Sequence, residues 1–325
     1  MKNTNIMKKV IFALAAVVAL AACSKEQTIV ADRGDAIGFD SFIENATRAA
    51  ADDFTSVDSF KVWGNVTGNA GSIFLYNGAL VERNGAEDGA AFTCSSQTEY
   101  WIPSATYNFL AIAGATSVDP DEGAFPTTIN YTANGTTDLL LSEYVTVETD
   151  RTAMPTTGVI VDKNDNNNKC VPFTFKHLLS KVYFNFVNNS TSDKSTYEIS
   201  DIKIAGAKKE GTYSITDNKW TSATGTASDF VFGDAGTIIK GASVTSENAC
   251  LFIPGEQSLK VSFTQTYKYN GSAVNDPETV TATLTHTFAA NGCYVINVEL
   301  KGGVAISFTL DALGGWDNKT DISIP

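Results

Sequence analysis

The sequence predicts an all-β protein made of two antiparallel β-sandwich domains in tandem. Short runs of alternating or β-branched residues recur along the chain and are separated by turn residues, which is typical of sandwiches. The helical signal is weak throughout. The chain has 325 residues, of which 43% are hydrophobic and 18% charged, so it is long enough for two globular domains and too apolar to be disordered.

The first 23 residues are predicted to be a lipoprotein signal peptide and not part of the fold. Three lysines precede an apolar run from Val10 to Ala22, which is shorter than the roughly 20 residues that a membrane-spanning helix needs. The run ends in Leu20-Ala21-Ala22-Cys23, which resembles the bacterial lipobox. We therefore expect Cys23 to carry fatty acyl chains such as palmitate, which would hold the exported chain at a membrane.

The first predicted strand lies in the next segment, residues 24–48. Ile37, Phe39, Ser41 and Ile43 share one parity, as in a strand with one buried face. The residues from Asn45 to Asp53 have no such period, so we expect an exposed linker there.

Beyond this linker, predicted strands continue to the C-terminus. A turn is predicted at Asn77-Gly78, and one helical turn at Lys176–Lys181. The predicted strands are Phe60–Gly64, Ser72–Tyr76, Tyr107–Ile112, Tyr144–Val147, Val182–Val187, Glu198–Ile204, Phe230–Phe232, Cys250–Ile253, Leu259–Tyr269, Thr279–Phe288 and Tyr294–Leu300. The last alternating residues are Val304, Ile306, Phe308 and Leu310, then, after the break Gly314-Gly315-Trp316, Thr320, Ile322 and Ile324.

A polar run from Asp162 to Lys169 marks the predicted domain boundary, which separates residues 49–168 from residues 169–325. The run begins like a calcium loop, with oxygen-bearing side chains at alternate positions. However, Asn167 stands at the glycine position of such a loop and Phe173 at the position of the bidentate acid. We therefore expect a solvated turn and no metal.

The composition argues against several functional classes. Lys+Arg 23 against Asp+Glu 36 gives a net charge of −13, which disfavours nucleic-acid binding. The sequence has no phosphate-binding loop, no Gly-x-Ser-x-Gly and no His-Glu-x-x-His. His177 and His286 are the only histidines, and we interpret both as structural. We expect no enzyme and no cofactor, although a pair of glycosidase carboxylates cannot be identified from one sequence.

Four cysteines remain after Cys23, namely Cys94, Cys170, Cys250 and Cys293. An exported chain can oxidise them, and four cysteines allow three pairings. Cys250 and Cys293 each open an apolar strand and could face each other, yet free cysteine is also a common core residue. Whether any disulfide forms is left open. Trp101 and Tyr100 are interpreted as core residues in preference to a ligand-stacking surface.

Three groups of residues together resemble the fimbrillin family of Bacteroidetes, the type V pilins. They are Phe60-Lys61-Val62-Trp63-Gly64, then Tyr100-Trp101-Ile102-Pro103 with Tyr107-Asn108-Phe109-Leu110-Ala111, then Phe173-Thr174-Phe175-Lys176-His177-Leu178-Leu179-Ser180-Lys181-Val182. The lipobox cysteine and Thr47-Arg48-Ala49 occupy the places where that family is lipidated and cleaved. The resemblance covers nearly the whole chain.

This resemblance implies two transthyretin-like β-sandwich domains and a mechanism of assembly. An arginine-specific protease would cut between Arg48 and Ala49, so that residues 24–48 act as a propeptide. The strand around Ile37, Phe39 and Ile43 would be removed, and a strand of another pilin subunit would fill the groove. The segment with Thr320, Ile322 and Ile324 is the candidate donor strand, or else an ordinary last strand.

The resemblance favours a structural or tip subunit of an adhesive cell-surface pilus, with a lipoprotein precursor at the outer membrane. It does not separate stalk, tip and anchor subunits. Two alternatives remain: a surface lipoprotein that binds glycan or host protein without polymerising, and a surface hydrolase.

Overall fold

A computed structural model describes residues 35–43, 57–68, 71–84, 92–120, 122–161, 169–226, 229–302 and 306–316. Within these ranges the regular structure consists of β-strands and contains no helix, so the predicted all-β class is confirmed. The strands are β1 (Gly38–Ile43), β2 (Ser59–Gly68), β3 (Gly71–Arg83), β4 (Phe92–Thr93), β5 (Thr106–Ala113), β6 (Ser117–Asp119), β7 (Thr128–Thr132), β8 (Leu140–Ser142), β9 (Val145–Thr149), β10 (Pro155–Thr157), β11 (Ile160–Val161), β12 (Lys169–His177), β13 (Ser180–Asn188), β14 (Ser195–Ala205), β15 (Lys208–Ser214), β16 (Lys219–Thr226), β17 (Phe230–Gly233), β18 (Gly236–Ile239), β19 (Ser243–Thr245), β20 (Cys250–Phe252), β21 (Gly255–Tyr269), β22 (Ser272–Ala273), β23 (Glu278–Phe288), β24 (Gly292–Leu300) and β25 (Ser307–Gly315).

The first and largest sheet contains a closed ring of strands. Its order is β10-β9-β5-β2-β3-β4-β1-β12-β11, and β8 pairs with both β12 and β5. Seven strands therefore form a closed ring, in which each strand pairs with the next and the last pairs with the first. We call them the strand ring; their order is β5, β2, β3, β4, β1, β12 and β8. Buried side chains from these strands, including Phe60, Phe109 and Phe173, form a hydrophobic core.

Three smaller sheets complete the fold. Their orders are β19-β13-β24-β25 with β20 on β13, β17-β14-β21-β22 with β18 on β14 and β23 on β21, and β16-β15-β7-β6. A second hydrophobic core lies among them and includes Phe184, Phe232 and Phe263. Phe184 and Phe186 alternate along β13, and Phe230 and Phe232 alternate along β17, so that each pair directs its rings to one face.

The domain division at residue 168 remains a prediction. Strand β12 follows the predicted boundary but pairs with β1, β8 and β11, all of which precede it. Likewise β7 pairs with β15. Hydrogen-bonded sheets thus connect the two halves of the chain, and the calcium-loop-like residues 162–168 lie outside the described ranges.

The helical turn predicted at Lys176–Lys181 is wrong. Strand β12 continues to His177, which pairs with Leu140, and β13 begins at Ser180, which pairs with Phe252. Between them, Leu178 and Leu179 are buried, and the Leu178 nitrogen donates to the Leu139 carbonyl over 3.0 Å. The apolar run has no alternation because it is buried on both sides, which removes the signal that separates strand from helix.

The turn predicted at Asn77-Gly78 is also wrong. Strand β3 continues through both residues, and the register shifts so that Trp63 pairs with Asn77 while Val62 pairs with Ala79. Gly78 is the extra residue of this bulge, and its φ is +68°. A Cβ atom at this position would lie 3.1 Å from the Trp63 ring. Glycine suits both the left-handed backbone and the close ring.

The prediction of purely antiparallel pairing is incomplete. Strand β1 runs parallel to β12, and β13 runs parallel to β24. Each parallel pair joins segments that are more than 100 residues apart in sequence, so the local pattern carries no information about direction.

Candidate functional site

Strand β1 is hydrogen-bonded on both of its edges. It pairs with β12 along its whole length, from Gly38 opposite Cys170 to Ile43 opposite Phe175. On the other edge Phe39 pairs with Phe92 of β4. The strand is therefore an interior member of the sheet.

The residues just before β1 form backbone hydrogen bonds with another segment, residues 99–101. The Ile37 nitrogen donates to the Glu99 carbonyl over 2.9 Å, and the Trp101 nitrogen donates to the Asp35 carbonyl over 3.1 Å. The Tyr107 hydroxyl accepts a hydrogen bond from the Ile102 nitrogen at 2.7 Å, which fixes this neighbouring segment. Burial raises the pKa of Tyr107 to about 12, so the hydroxyl stays neutral.

The Phe39 side chain fills the groove under β1. It is only 2% exposed, and its ring stacks on Phe173 with the centroids 5.8 Å apart. Tyr76 and Phe109 meet the same ring edge-on, at centroid distances of 5.4 Å and 6.1 Å. Such aromatic pairs stabilise the packing by about 0.5–1.5 kcal/mol each beyond the area that they bury.

Of the other predicted strand residues, Ile37 follows the expected alternation and Ser41 does not. Ile37 is buried beside Phe39 in the same core, while Asp40 and Ser41 are half-buried. Ile43 is the last residue of β1, and its side chain lies outside the description. The predicted buried parity of the first strand is thus confirmed for Ile37 and Phe39.

The walls of the groove are mainly apolar, and burial disfavours the charged forms of the polar groups beside them. Burial raises the pKa of the Tyr76 hydroxyl, and the nearby Cys94 thiol and Glu99 carboxyl raise it further. Burial also raises the pKa of Glu99. Apolar contacts and backbone hydrogen bonds therefore hold β1 in this groove.

Without β1 the strand ring would be open between β12 and β4. Both strands would then present unpaired backbone N–H and C=O groups, and the rings of Phe173, Tyr76 and Phe109 would line an empty slot. Such an edge is a template for another strand.

The residues that contact Phe39 were not identified as partners of the first strand from the sequence. Phe173 and Phe175 appear there as a motif, and their alternation in Phe173-Thr174-Phe175 does indicate a buried strand face. No local signal indicates that this face belongs opposite Phe39.

The C-terminal end of the described chain is tied to the same region. Strand β25 pairs antiparallel with β24 at the edge of its sheet, with Ile306, Phe308 and Leu310 packed against the second core. Beyond β25, the buried Trp316 ring stacks on His177 at the end of β12, with the centroids 3.8 Å apart.

His177 is a structural residue, as predicted. It is buried, and its Nδ1 lies 2.5 Å from the Asp138 carboxylate, while Trp316 covers the ring. His286 lies in β23, again as predicted, beside Phe288 and Tyr294. Trp101 is a core residue, whereas Tyr100 is 37% exposed, so the interpretation of that pair holds only for the tryptophan.

Several predicted site residues lie outside the described residues. They are Cys23, Arg48, Ala49, Thr320, Ile322 and Ile324. The roles of these residues remain predictions.

None of the four described cysteines, Cys94, Cys170, Cys250 and Cys293, forms a disulfide. Cys250 and Cys293 lie on strands that flank β13 on opposite sides, since Cys250 pairs with Val182 and Cys293 with Lys181. Two strand spacings are about 9.5 Å, which is beyond the reach of a disulfide. Burial raises the pKa of Cys250 to about 12.

Within the described ranges, no cluster of histidine, cysteine or carboxylate side chains is arranged to hold a metal ion. In the same ranges, no helix has the length and apolarity needed to cross a bilayer.

The fold and the site together define a class: an all-β protein whose N-terminal strand completes a closed ring of strands and covers an aromatic groove. The sequence profile of fimbrillin-like proteins matches residues 47–312. The chain belongs to this fimbrillin-like family. Members are non-enzymatic adhesion subunits, so the prediction that the chain is not an enzyme is confirmed by the family. No curated protein matches the sequence.

Solved structures of similar proteins show the same fold. A fimbrial protein from Bacteroides vulgatus superposes with a TM-score of 0.52 at 14% identity, over 86% of this chain and 99% of that one. A candidate cell adhesion protein from Bacteroides ovatus gives a TM-score of 0.52 at 15% identity, over 87% of this chain and 98% of that one.

Proposed function

We propose that this chain is a subunit of an adhesive cell-surface fimbria, assembled by strand exchange. In this proposal the chain is exported as a lipoprotein precursor with Cys23 lipidated at the outer membrane. An arginine-specific protease then cuts between Arg48 and Ala49 and releases β1. A strand from another pilin subunit fills the vacated groove.

The observation that carries this proposal is the position of β1. The first strand that the structure describes is an interior member of a closed ring, and it supplies Phe39 to the centre of an aromatic cluster. A replacement strand would recover the backbone hydrogen bonds on two edges. It would also recover about 1.5–3 kcal/mol for each large apolar side chain that it buries.

The arginines of the chain support Arg48 as the processing site. The chain has four, at positions 33, 48, 83 and 151. A cut after Arg33 would leave β1 attached. Only a cut between β1 and β2 releases the strand and spares the rest of the fold, and Arg48 is the arginine in that interval.

The two arginines beyond β2 are poor protease sites. Arg83 lies in β3, where its guanidinium donates to the Val57 carbonyl over 3.0 Å and lies over the Phe92 ring. Arg151 is exposed, but it lies in a turn closed by Asp150, whose Oδ1 accepts from the Thr152 and Met154 nitrogens at 2.7 Å and 3.0 Å. Proteases bind their substrates in extended form, so this turn would have to open first.

The donor strand in this proposal is the C-terminal segment with Thr320, Ile322 and Ile324. Its alternation suits the apolar slot that β1 occupies, and it follows Trp316, which already packs on the end of β12. A subunit that accepts a strand without donating one would be a tip subunit.

The test compares two arginine variants in the native host. With Arg48→Ala, we expect the precursor to keep residues 24–48 and to stay out of the fibre. With Arg33→Ala, the matched control on the other side of β1, we expect normal processing and assembly. The readouts are the N-terminal sequence of protein sheared from the cell surface and the amount of fibre.

If Arg48→Ala enters fibres as efficiently as wild type, removal of β1 is not the mechanism. If wild-type surface protein retains residues 24–48, the alternative of a non-polymerising lipoprotein that binds glycan or host protein is preferred.

A further inference from the structure

Strand β23 forms a long and regular outer edge of its sheet. It pairs with β21 over its full 11 residues, from Glu278 opposite Gln265 to Phe288 opposite Gly255, with no shift of register. Among the residues that the structure describes, no strand pairs with the other edge of β23. Alternate residues of β23 therefore direct their backbone N–H and C=O groups outward.

This edge lacks the features that usually protect an edge strand. Natural edges carry charges, prolines, glycines or bulges that prevent pairing with a second chain. From Thr279 to Phe288 the strand has none of these residues and no bulge. By contrast, the edge strand β25 has a bulge and Asp311, and the edge strand β16 has Lys219 and Gly225.

The two faces of β23 differ in a regular way. Every second residue is an exposed threonine, while the residues between them are half-buried and face the core. The exposed residues are Thr279, Thr281, Thr283, Thr285 and Thr287; the half-buried ones are Val280, Ala282, Leu284 and His286.

We propose that β23 pairs antiparallel with β23 of a second copy of this chain, about a two-fold axis at Thr283. In that register Thr279 lies opposite Thr287, Thr281 opposite Thr285, and Thr283 opposite itself. All exposed threonines then face threonines, and the half-buried residues continue the inner face of the sheet.

The pattern selects this register and this partner. Residues directly opposite each other in an antiparallel pair lie on the same face, so a one-residue slip would place threonines against the half-buried row. A two-residue slip would keep threonines opposite threonines but would leave one of the five without a threonine partner. Threonine pairs across strands stabilise a sheet. The single charge of the strand, on Glu278, lies opposite Phe288, so the two copies bring no like charges together.

A two-fold pairing of one edge with itself is closed, so it produces a dimer and not a filament. It requires neither the removal of β1 nor an inserted strand. The inference is therefore independent of the proposed fimbrial assembly, and its failure would leave that proposal unchanged.

The first test is the oligomeric state of the full chain carrying Cys23→Ser, so that no lipid drives association. We expect sedimentation as a dimer at high micromolar concentration. Thr283→Lys would place two lysines directly opposite each other at the axis, and we expect a shift to the monomer. Ser222→Lys, at an exposed position on the edge strand β16, is the matched control and should leave the dimer intact.

The second test fixes the register by cross-linking. Opposite Cα atoms in an antiparallel pair are about 4.5 or 5.5 Å apart, which a disulfide can bridge. We expect Thr283→Cys to form a disulfide-linked dimer under mild oxidation. Thr279→Cys and Thr287→Cys should each fail alone and cross-link when mixed. Wild type, with its half-exposed Cys94, gives the background.

A wild-type chain that stays monomeric at these concentrations would overturn the proposal. So would a dimer that persists in Thr283→Lys, or cross-linking of Thr279→Cys alone at the level of Thr283→Cys.

Discussion

At the scale of single residues, Phe39 contributes most to the site. Its ring contacts Phe173, Tyr76 and Phe109, which belong to three different strands of the ring. A side chain placed at the centre of such a cluster couples the first strand to the rest of the core. The sequence predicts that Phe39 is buried, but the three partners are evident only in the structure.

Phe39→Ala should destabilise the unprocessed chain by about 3–5 kcal/mol, because it removes a buried aromatic ring and leaves a cavity. Denaturant unfolding of the intact precursor would measure this loss. Ser41→Ala on the same strand is the control and should change the unfolding free energy by no more than about 0.5 kcal/mol. Equal midpoints for wild type and Phe39→Ala would contradict the assignment of β1 as an integral strand.

At the scale of elements, one carboxylate ties the end of β24 to its neighbours. Glu299 accepts hydrogen bonds from Asn189 at 2.7 Å and from Ser307 of β25 at 2.9 Å, and it lies 2.7 Å from the Lys301 ammonium. The hydrogen bond from Lys301 and then those from Asn189 and Ser307 lower the pKa of Glu299 from its ordinary 4.5 to about 2. This cluster holds the start of β25 against β24.

The depressed pKa gives a pH dependence with a definite sign. The stabilising contribution of Glu299 is fully present above about pH 4.5 and is lost as the pH falls towards about 2, where the carboxylate is protonated in the folded chain. Lys301→Met should raise the pKa of Glu299, since it removes the largest cause of the shift.

An NMR titration of the Glu299 carboxyl would measure this change. Lys240→Met, which breaks a separate ion pair with Asp193, should leave the Glu299 titration unchanged. If Lys301→Met does not move it either, the lysine does not hold this carboxylate in solution.

At the scale of the whole molecule, the two ends of the described chain occupy different positions in the fold. The first described strand, β1, completes the ring, and the last described strand, β25, lies on the edge of another sheet. The ring offers one groove to a strand, and the segment after Trp316 is the part of the chain available to fill the groove of another subunit under the proposed function.

Replacing Ile322 and Ile324 by alanine should stop fibre growth, because these are the apolar residues that the proposed donor strand would bury. Replacing Asp321 and Ser323 by alanine changes the other face of the segment and should leave growth intact. Fibre length by electron microscopy is the measurement. If growth continues in the isoleucine double variant, the C-terminus is not the donor.

The sequence by itself was sufficient for the class of the fold, the positions of some strands and the family resemblance, whereas β7, β12, β15 and β16 were not predicted. Alternation every second residue is a local property, and it predicted strands such as β5 and β21 as well as the buried parity of Ile37 and Phe39. The family motifs are likewise contiguous in the chain. These features can be predicted from the sequence because each depends only on residues that are close together in the chain.

Only the tertiary structure decided which strands meet. A hydrophobic pattern indicates that a face is buried, but not what covers it, and Gly38 pairs with Cys170 across more than 100 residues. The parallel direction of β1, the closure of the ring by β8 and the separation of Cys250 from Cys293 all follow from such distant pairings. Contacts with distant parts of the chain also explain the two wrong local predictions, the helical turn and the Asn77-Gly78 turn. Lys176 and His177 end β12, where they pair with β8, and Ser180 and Lys181 begin β13, where they pair with β20. Asn77-Gly78 forms a bulge against the Trp63 ring.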